Sequence, residues 1–181
     1  GDINTIKNSI KNKNIKLNIV PTLKDQEGRI SSSRVRQLLL QSDLLKAKAL
    51  LKRPYSFSGK VVKGKGIGKK IGFPTANLQI DGRKFLPCEG VYAAWTKEIH
   101  SGNRFPSVMN LGPQPTINPL SPSAVEVHII DKNINLYDLQ LSVEPIKMIR
   151  TQIKFSNMEE LAKQISKDKE LAKTILQEIN N

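Results

Sequence analysis

After Pro54 the chain stops reading as helix, and that change constrains its fold more than any other feature. The segments SFSGKVVKG, GVYAAWTKE, RFPSVMNLG, AVEVHII and LQLSVEPIKMIR are rich in β-branched and aromatic residues. Several alternate apolar with polar positions, the period of a half-buried strand. Ser101, Gly102 and Asn103 predict a hairpin, and Asn133 to Asn135 a second tight reversal. Successive hairpins with no helix between them argue against a parallel sheet and for an antiparallel barrel or sandwich. The run GPQPTINPLSPS is a stiff, non-repetitive excursion. From Asn157 onward Met158, Leu161, Ile165, Leu171 and Ile175 mark one closing amphipathic helix, with Asp168 the place where it could break.

Upstream of Pro54 the pattern is α/β. Ile3, Ile6 and Ile10 follow Asp2 at helical spacing, and Ile15, Leu17 and Ile19 then alternate as a short strand up to Pro21. Ser31, Ser32 and Ser33 offer cap oxygens to a helix beginning near Arg34, and Asp43 opens a second that runs through LLKAKALLKR until Pro54 stops it. A length of 181 residues permits one full domain and a remnant of another, with the boundary at Arg53 and Pro54. At 38% hydrophobic residues the chain can build a core. No run approaches the ~18 apolar residues of a membrane span. The N-terminus lacks Met and the regions of a signal peptide, and reads as a cut end. The single cysteine, Cys88, excludes an internal disulfide and fits a reducing compartment.

Net charge is +13, which calls for anionic partners: nucleotide phosphates, nucleic acid or a lipid surface. Between Leu44 and Leu78 there is no carboxylate, while Lys46, Lys48, Lys52, Arg53, Lys60, Lys63, Lys65, Lys69 and Lys70 are all positive. Within this stretch GKGIGKKIGFPTAN, beginning at Gly64, forms a glycine-rich basic loop directly after the predicted strand GKVVK. Glycines let backbone N–H groups approach an anion closely, and the lysines add charge where phosphates would sit. Gly59 to Lys65 spells the start of a P-loop, but Gly66 stands where that motif needs Ser or Thr, and no G-x-G-x-x-G occurs.

Thr75 and Asn77 lie one residue apart and would share a face in an extended segment, offering two oxygens to a hard cation such as Mg²⁺ beside a nucleotide, or merely capping a turn. Glu126 sits between Val125 and Val127, opposite to them and on the same face as His128. A partly desolvated carboxylate there could take a proton from a hydroxyl, and the plainer alternative is a solvated outer face. His128 reads as a strand residue or a partner to the site rather than a ligand, because the other histidine, His100, falls in the hairpin turn. Ser31, Ser32 and Arg34 open a helix whose N-terminus favours anions, although such a run is most often a cap.

In this order ISSSRVR, RPYSFSGKVVKGKGIGKKIGFPTANL, GVYAAW, VMNLGPQPT, EVHIID and IRTQIKF closely resemble the bifunctional riboflavin kinase and FAD synthetase of bacteria, over nearly the whole chain. The resemblance implies a mainly β fold, a six-stranded antiparallel Greek-key barrel with a C-terminal α-helix, preceded by an α/β remnant. Residues 53–181 would be the riboflavin kinase domain, and residues 1–52 the tail of an FMN adenylyltransferase domain carrying Ser31, Ser32 and Arg34 of its closing motif. The implied reaction is transfer of a phosphoryl group from ATP to the ribityl 5′-hydroxyl of riboflavin, giving FMN and ADP, in the cytoplasm. Gly64, Lys65, Gly66, Gly68, Lys69 and Gly72 would hold the ATP phosphates, Thr75 and Asn77 would bind Mg²⁺, and Glu126 would be the general base. Arg150 would reach the flavin or phosphate region. Gln114 stands where many members have Arg, and Ser33 where Thr is frequent. No histidine precedes His100, so the H-x-G-H motif of the adenylyltransferase half is missing and that half is expected in a longer parent chain. A basic nucleic-acid-binding barrel is the competing reading, weakened because few aromatics (Tyr55, Phe57, Phe73) interleave the lysines.

Overall fold

The computed structural model describes residues 2–11, 13–64, 66–112 and 125–180, so Lys65, Gln114 and nearly all of the proline-rich run lie outside it. The chain divides into two compact units, residues 1–31 and 32–181.

In the first unit, helix α1 (Ile3–Ile10) begins where the sequence places it, with the Asp2 carboxylate accepting from the Thr5 N–H at 2.8 Å. Residues 15–20 are not a strand. A strand needs a neighbour to satisfy its backbone, and none of the described strands pairs with this segment; Ile15, Leu17 and Ile19 stay exposed. The pairing that does form is a short hairpin of β1 (Lys24–Asp25) and β2 (Gly28–Arg29), turned by the Asp25 carboxylate accepting from Glu27 N–H.

The second unit opens with α2 (Ser32–Leu40) and α3 (Leu44–Leu51), the latter capped by the Asp43 carboxylate on Lys46 N–H and ended by left-handed Lys52. The strands β3 (Phe57–Val62), β4 (Ala76–Ile80), β5 (Gly90–Glu98), β6 (Arg104–Leu111), β7 (Val125–Ile129) and β8 (Gln140–Arg150) follow. They close into a barrel in the order β3-β4-β7-β6-β5-β8, antiparallel throughout. The hairpin β3–β4 and the run β5–β6–β7 are joined by non-sequential pairs, β4 with β7 and β5 with β8, which makes the connectivity a Greek key. Two register shifts in the β5–β8 pair bend those long strands. At the β5–β6 hairpin the Glu98 carboxylate accepts from the His100 and Ser101 N–H groups, and Gly102 takes a left-handed turn.

Alternation along each strand divides the barrel into an inside and an outside. Phe57, Val61, Leu78, Tyr92, Met109, Leu111, Val125, Val127, Leu141 and Val143 fill the interior. Outside, Val91, Ala93 and Val108 are covered by Ala172, Ile175 and Leu176 of α5 (Met158–Asn180), a continuous helix. Asp168 does not break it. Its carboxylate, 2% exposed, receives the Arg150 guanidinium at 2.7 to 3.1 Å and the Gln164 amide at 2.8 Å, pinning the helix to the end of β8.

Leu39, Leu44 and Ala47 of α2 and α3 belong to the same buried cluster as the barrel interior. The Ser42 hydroxyl, in the turn between these helices, bonds the buried Tyr92 hydroxyl at 3.0 Å, and Cys88 N–H reaches the Leu39 carbonyl. Residues 32–52 therefore pack as part of the barrel unit. Leu39→Ala is expected to cost the barrel about 2–5 kcal/mol, as for other buried leucines, measurable by urea denaturation followed through Trp95 fluorescence. No loss would mean that α2 and α3 are dispensable to the barrel.

Candidate active site

The glycine-rich loop leaves β3 at Val62 and returns as β4, with one short helical turn, α4 (Ile67–Lys70), inside it. Close approach explains two of its glycines. A Cβ on Gly68 would lie 2.3 Å from the Phe73 carbonyl oxygen, and the Phe73 N–H closes the loop by donating to the Gly68 carbonyl at 2.8 Å. A Cβ on Gly64 would lie 2.0 Å from Asn77 Nδ2, so the glycine makes room for the asparagine side chain.

Beyond the loop, β4 pairs with β7 so that Asn77 is the register partner of Glu126, and Glu126 in turn of Asn110 on β6. These three positions share the outer face, because their neighbours Leu78, Val127 and Met109 point inward. Thr75 lies just before the ladder begins. Its hydroxyl donates to Glu126 Oε2 at 3.2 Å. Sequence positions 75, 77 and 126 thus come together, half-buried, on one patch. On the far side of that patch Gln152 donates to Asn110 Oδ1 and to the Leu111 carbonyl, both at 2.8 Å, tying the segment after β8 to β6.

Beside the patch is a cavity of about 1120 Å³. One wall is the loop: Lys63, Gly64, Lys69 and Gly72 through Ala76. The other is the end of β7 and the segment 131–137, with Lys169 from α5. Thr75 lines the cavity as well as touching Glu126, so it stands at the seam between the two regions. Asp131, on the cavity wall, is held below its usual carboxylate range chiefly by the Lys173 ammonium at 2.7 Å, with Lys169 at 3.4 Å adding to it. Lys63 and Lys69 face the same space, giving it a basic wall suited to phosphate. The basic stretch does not run as one track, since Lys46 pairs with Asp43 and Lys60 with Asp138.

Gly64, Lys69 and Gly72 line the cavity; Gly66 and Gly68 shape the loop behind it, Gly66 as the left-handed residue that starts α4. Lys65 lies outside the described residues. Arg150 is not on the cavity wall, and its guanidinium is taken up by Asp168 and the Thr151 carbonyl. Ser32 and Arg34 belong to the first turn of α2, which Ser31 precedes, and neither lines the cavity. Nothing in the sequence marked the segment 131–137, Asn110 or Gln152 as part of the site, and the tight reversal expected at Asn133 to Asn135 is absent, the turns falling at Ile130–Asp131 and Tyr137–Asp138. Asn110 carries a faint signal, an asparagine ending an otherwise apolar strand.

The donor set at Thr75 and Asn77 is neutral oxygen, the chemistry a hard divalent cation accepts when phosphates and waters complete its shell. Because the Thr75 proton points to Glu126, the lone pairs of that hydroxyl are turned elsewhere, as a metal ligand requires. Among the described residues no group of three or more His, Cys, Asp or Glu side chains could hold a metal by itself.

The riboflavin kinase (flavokinase) family model matches residues 51–176 of the chain. A bifunctional riboflavin kinase/FMN adenylyltransferase from Haemophilus influenzae is 43% identical over 145 residues, covering 80% of this chain and 46% of that protein. The Bacillus subtilis protein of the same name is 38% identical over 157 residues, 85% of this chain and 49% of its own. The chain spans about half the length of these curated relatives. A crystal structure from Streptococcus pneumoniae described as a macrolide-efflux protein superposes on 86% of this chain and 50% of its own, with a TM-score of 0.74 at 32% identity. No helix among the described residues of the present chain is long and apolar enough to cross a membrane.

The fit of Gly64 against Asn77 can be tested directly. Gly64→Ala is expected to displace the Asn77 amide and weaken Mn²⁺ binding in the presence of ATP by about tenfold or more, the usual cost of disturbing a ligand's support. The melting temperature should move little, because Gly64 is exposed. Unchanged Mn²⁺ affinity would remove Asn77 from the cation site.

Proposed function

The chain belongs to the riboflavin kinase family, and we propose that it transfers the γ-phosphoryl group of ATP to the 5′-hydroxyl of riboflavin, releasing FMN and ADP. The observation that carries this reading is the contact between Thr75 and Glu126, which joins a basic, nucleotide-sized cavity to a carboxylate on the neighbouring face.

The residues divide the work by position. Lys63, Lys69 and the backbone around Gly64 and Gly72 face the cavity and would hold the phosphates. Thr75 and Asn77 would hold Mg²⁺, which would supply positive charge to offset the negative charge that develops on the phosphoryl oxygens. Glu126 uses Oε2 to accept from Thr75, which leaves Oε1 for the ribityl hydroxyl. As the new O–P bond forms and the bond to the ADP oxygen breaks, Glu126 takes the hydroxyl proton. Much of the acceleration would come from holding the two substrates in line across the Thr75 seam.

Residues 1–52 are read as the C-terminal remnant of an FMN adenylyltransferase domain and 53–181 as the kinase domain, a reading supported by the bifunctional relatives. Adenylyl transfer to FMN would then belong to a longer parent and not to this chain, which has no histidine before His100. A cytoplasmic setting is consistent with one unpaired cysteine.

Incubation with riboflavin, ATP and Mg²⁺, with the flavins resolved by chromatography, is expected to yield FMN and ADP, no FAD, and nothing in excess chelator. Glu126→Gln should retain Mg-ATP binding yet lose roughly 10² to 10⁴ in turnover. Turnover within about threefold of the unsubstituted protein would mean that the base lies elsewhere.

A further inference from the structure

Thr75 carries the seam of the site, yet the backbone that presents it lies beyond the end of the sheet. The last ladder pair is Ala76 with Val127, and the residue before Thr75 is Pro74, which has no N–H to offer a neighbouring strand. The side chain of His128 supplies the missing link. It projects from β7 on the same face as Glu126, is 8% exposed, and places Nδ1 2.9 Å from the Pro74 carbonyl oxygen. Its ring meets Phe73 edge-on, with centroids 5.6 Å apart and planes at 76°. Phe73 is itself bound to Gly68 through its N–H. One imidazole therefore grips both residues that precede Thr75.

We infer that His128 is a positioning residue for the cation and phosphate side of the reaction: by donating from Nδ1 to the Pro74 carbonyl it fixes the peptide plane leading into Thr75, and so the direction of the Thr75 hydroxyl. A carbonyl can only accept, so the ring proton must sit on Nδ1. That proton is committed to the backbone, which holds the ring in one tautomer and one orientation. The inference rests on the reading of Thr75 as a cation ligand, and its consequence is selective. Losing the grip should disturb Mg²⁺ and phosphate handling while sparing the far side of the patch, where Asn110 and Gln152 make their own contacts.

Two substitutions and one spectrum test it. His128→Phe keeps the ring and its contact with Phe73 but has no donor. His128→Asn restores an N–H close to the position of Nδ1. Mn²⁺ titration in the presence of ATP, read by electron paramagnetic resonance, should show affinity reduced about tenfold or more in His128→Phe and mostly recovered in His128→Asn. In turnover, His128→Phe should require more Mg²⁺ and lose kcat while its riboflavin KM stays within about twofold. In the unsubstituted chain the nitrogen-15 spectrum of His128 should show a proton on Nδ1. Since the only other histidine is His100, His100→Gln assigns the signals. Unchanged Mn²⁺ affinity in His128→Phe, no recovery in His128→Asn, or a proton found on Nε2 alone would each overturn the inference. If His128→Phe fails to fold, the nitrogen-15 spectrum decides. If the unsubstituted chain forms no FMN, the kinase reading fails, whereas the Mn²⁺ titration and the spectrum still judge the role of His128.

Discussion

The pairing of β4 with β7 is the interaction on which the site depends. These strands are separated in sequence by the whole of the β5–β6 hairpin, and their ladder covers only Ala76 to Leu78 against Val125 to Val127. Yet it closes the barrel and, in the same stroke, sets Asn77 beside Glu126. A slip of one residue would turn Asn77 into the core and Leu78 toward solvent. Burial of Leu78, Val125 and Val127, each at most 1% exposed, opposes that slip. The hydrophobic interior thus fixes the register, and the register fixes the polar patch outside.

The outer face is shared between two functions in a similar way. Over β5 and β6 it is apolar where α5 covers it; toward β4 and β7 it is polar and meets the cavity at Thr75 and His128. The Arg150–Asp168 pair ties α5 to β8, on the other side of β5. With side chains 16% and 3% exposed, it is far more buried than the surface pairs elsewhere on the chain. A paired charge of that kind is costly to break, and its geometry is strict, so it sets where the helix begins to cover the sheet. Lys169 and Lys173 on the same helix then hold Asp131, bringing α5 to the far wall of the cavity.

Much of this was legible in the residues. The strands β3 and β5 to β8, the hairpin at Gly102 and the amphipathic α5 follow from local pattern, and the six-stranded Greek-key barrel implied by family resemblance is the fold observed. What could not be read locally has physical reasons. β4 is short and emerges from a Gly-Pro segment, so period alone does not mark it. α4 contains Gly68, whose helix propensity is poor, and its turn is imposed by loop closure onto Phe73. Ile15, Leu17 and Ile19 have the alternation of a strand without a partner strand among the described residues. Asp168 looked like a helix break because a lone carboxylate on an apolar face is unfavourable, and only the fold reveals Arg150 opposite it. Thr75, Asn77 and Glu126 were visible as residue types with a plausible chemistry, but that Thr75 would touch Glu126 across 51 positions of chain is a fact of topology.

Placing the polar patch on the outside of a filled barrel also bears on how such a chain can change over time. Along β7 successive residues belong alternately to the interior and to the reactive face: Val125, Val127 and Ile129 to one, Glu126 and His128 to the other. Val125 is not among the residues lining the cavity and can drift among aliphatic side chains at little cost to it, whereas Val127 and Ile129 line it, so a change in their size reshapes the space beside the reactive face. Its inner and outer residues therefore answer to natural selection together wherever the cavity reaches both.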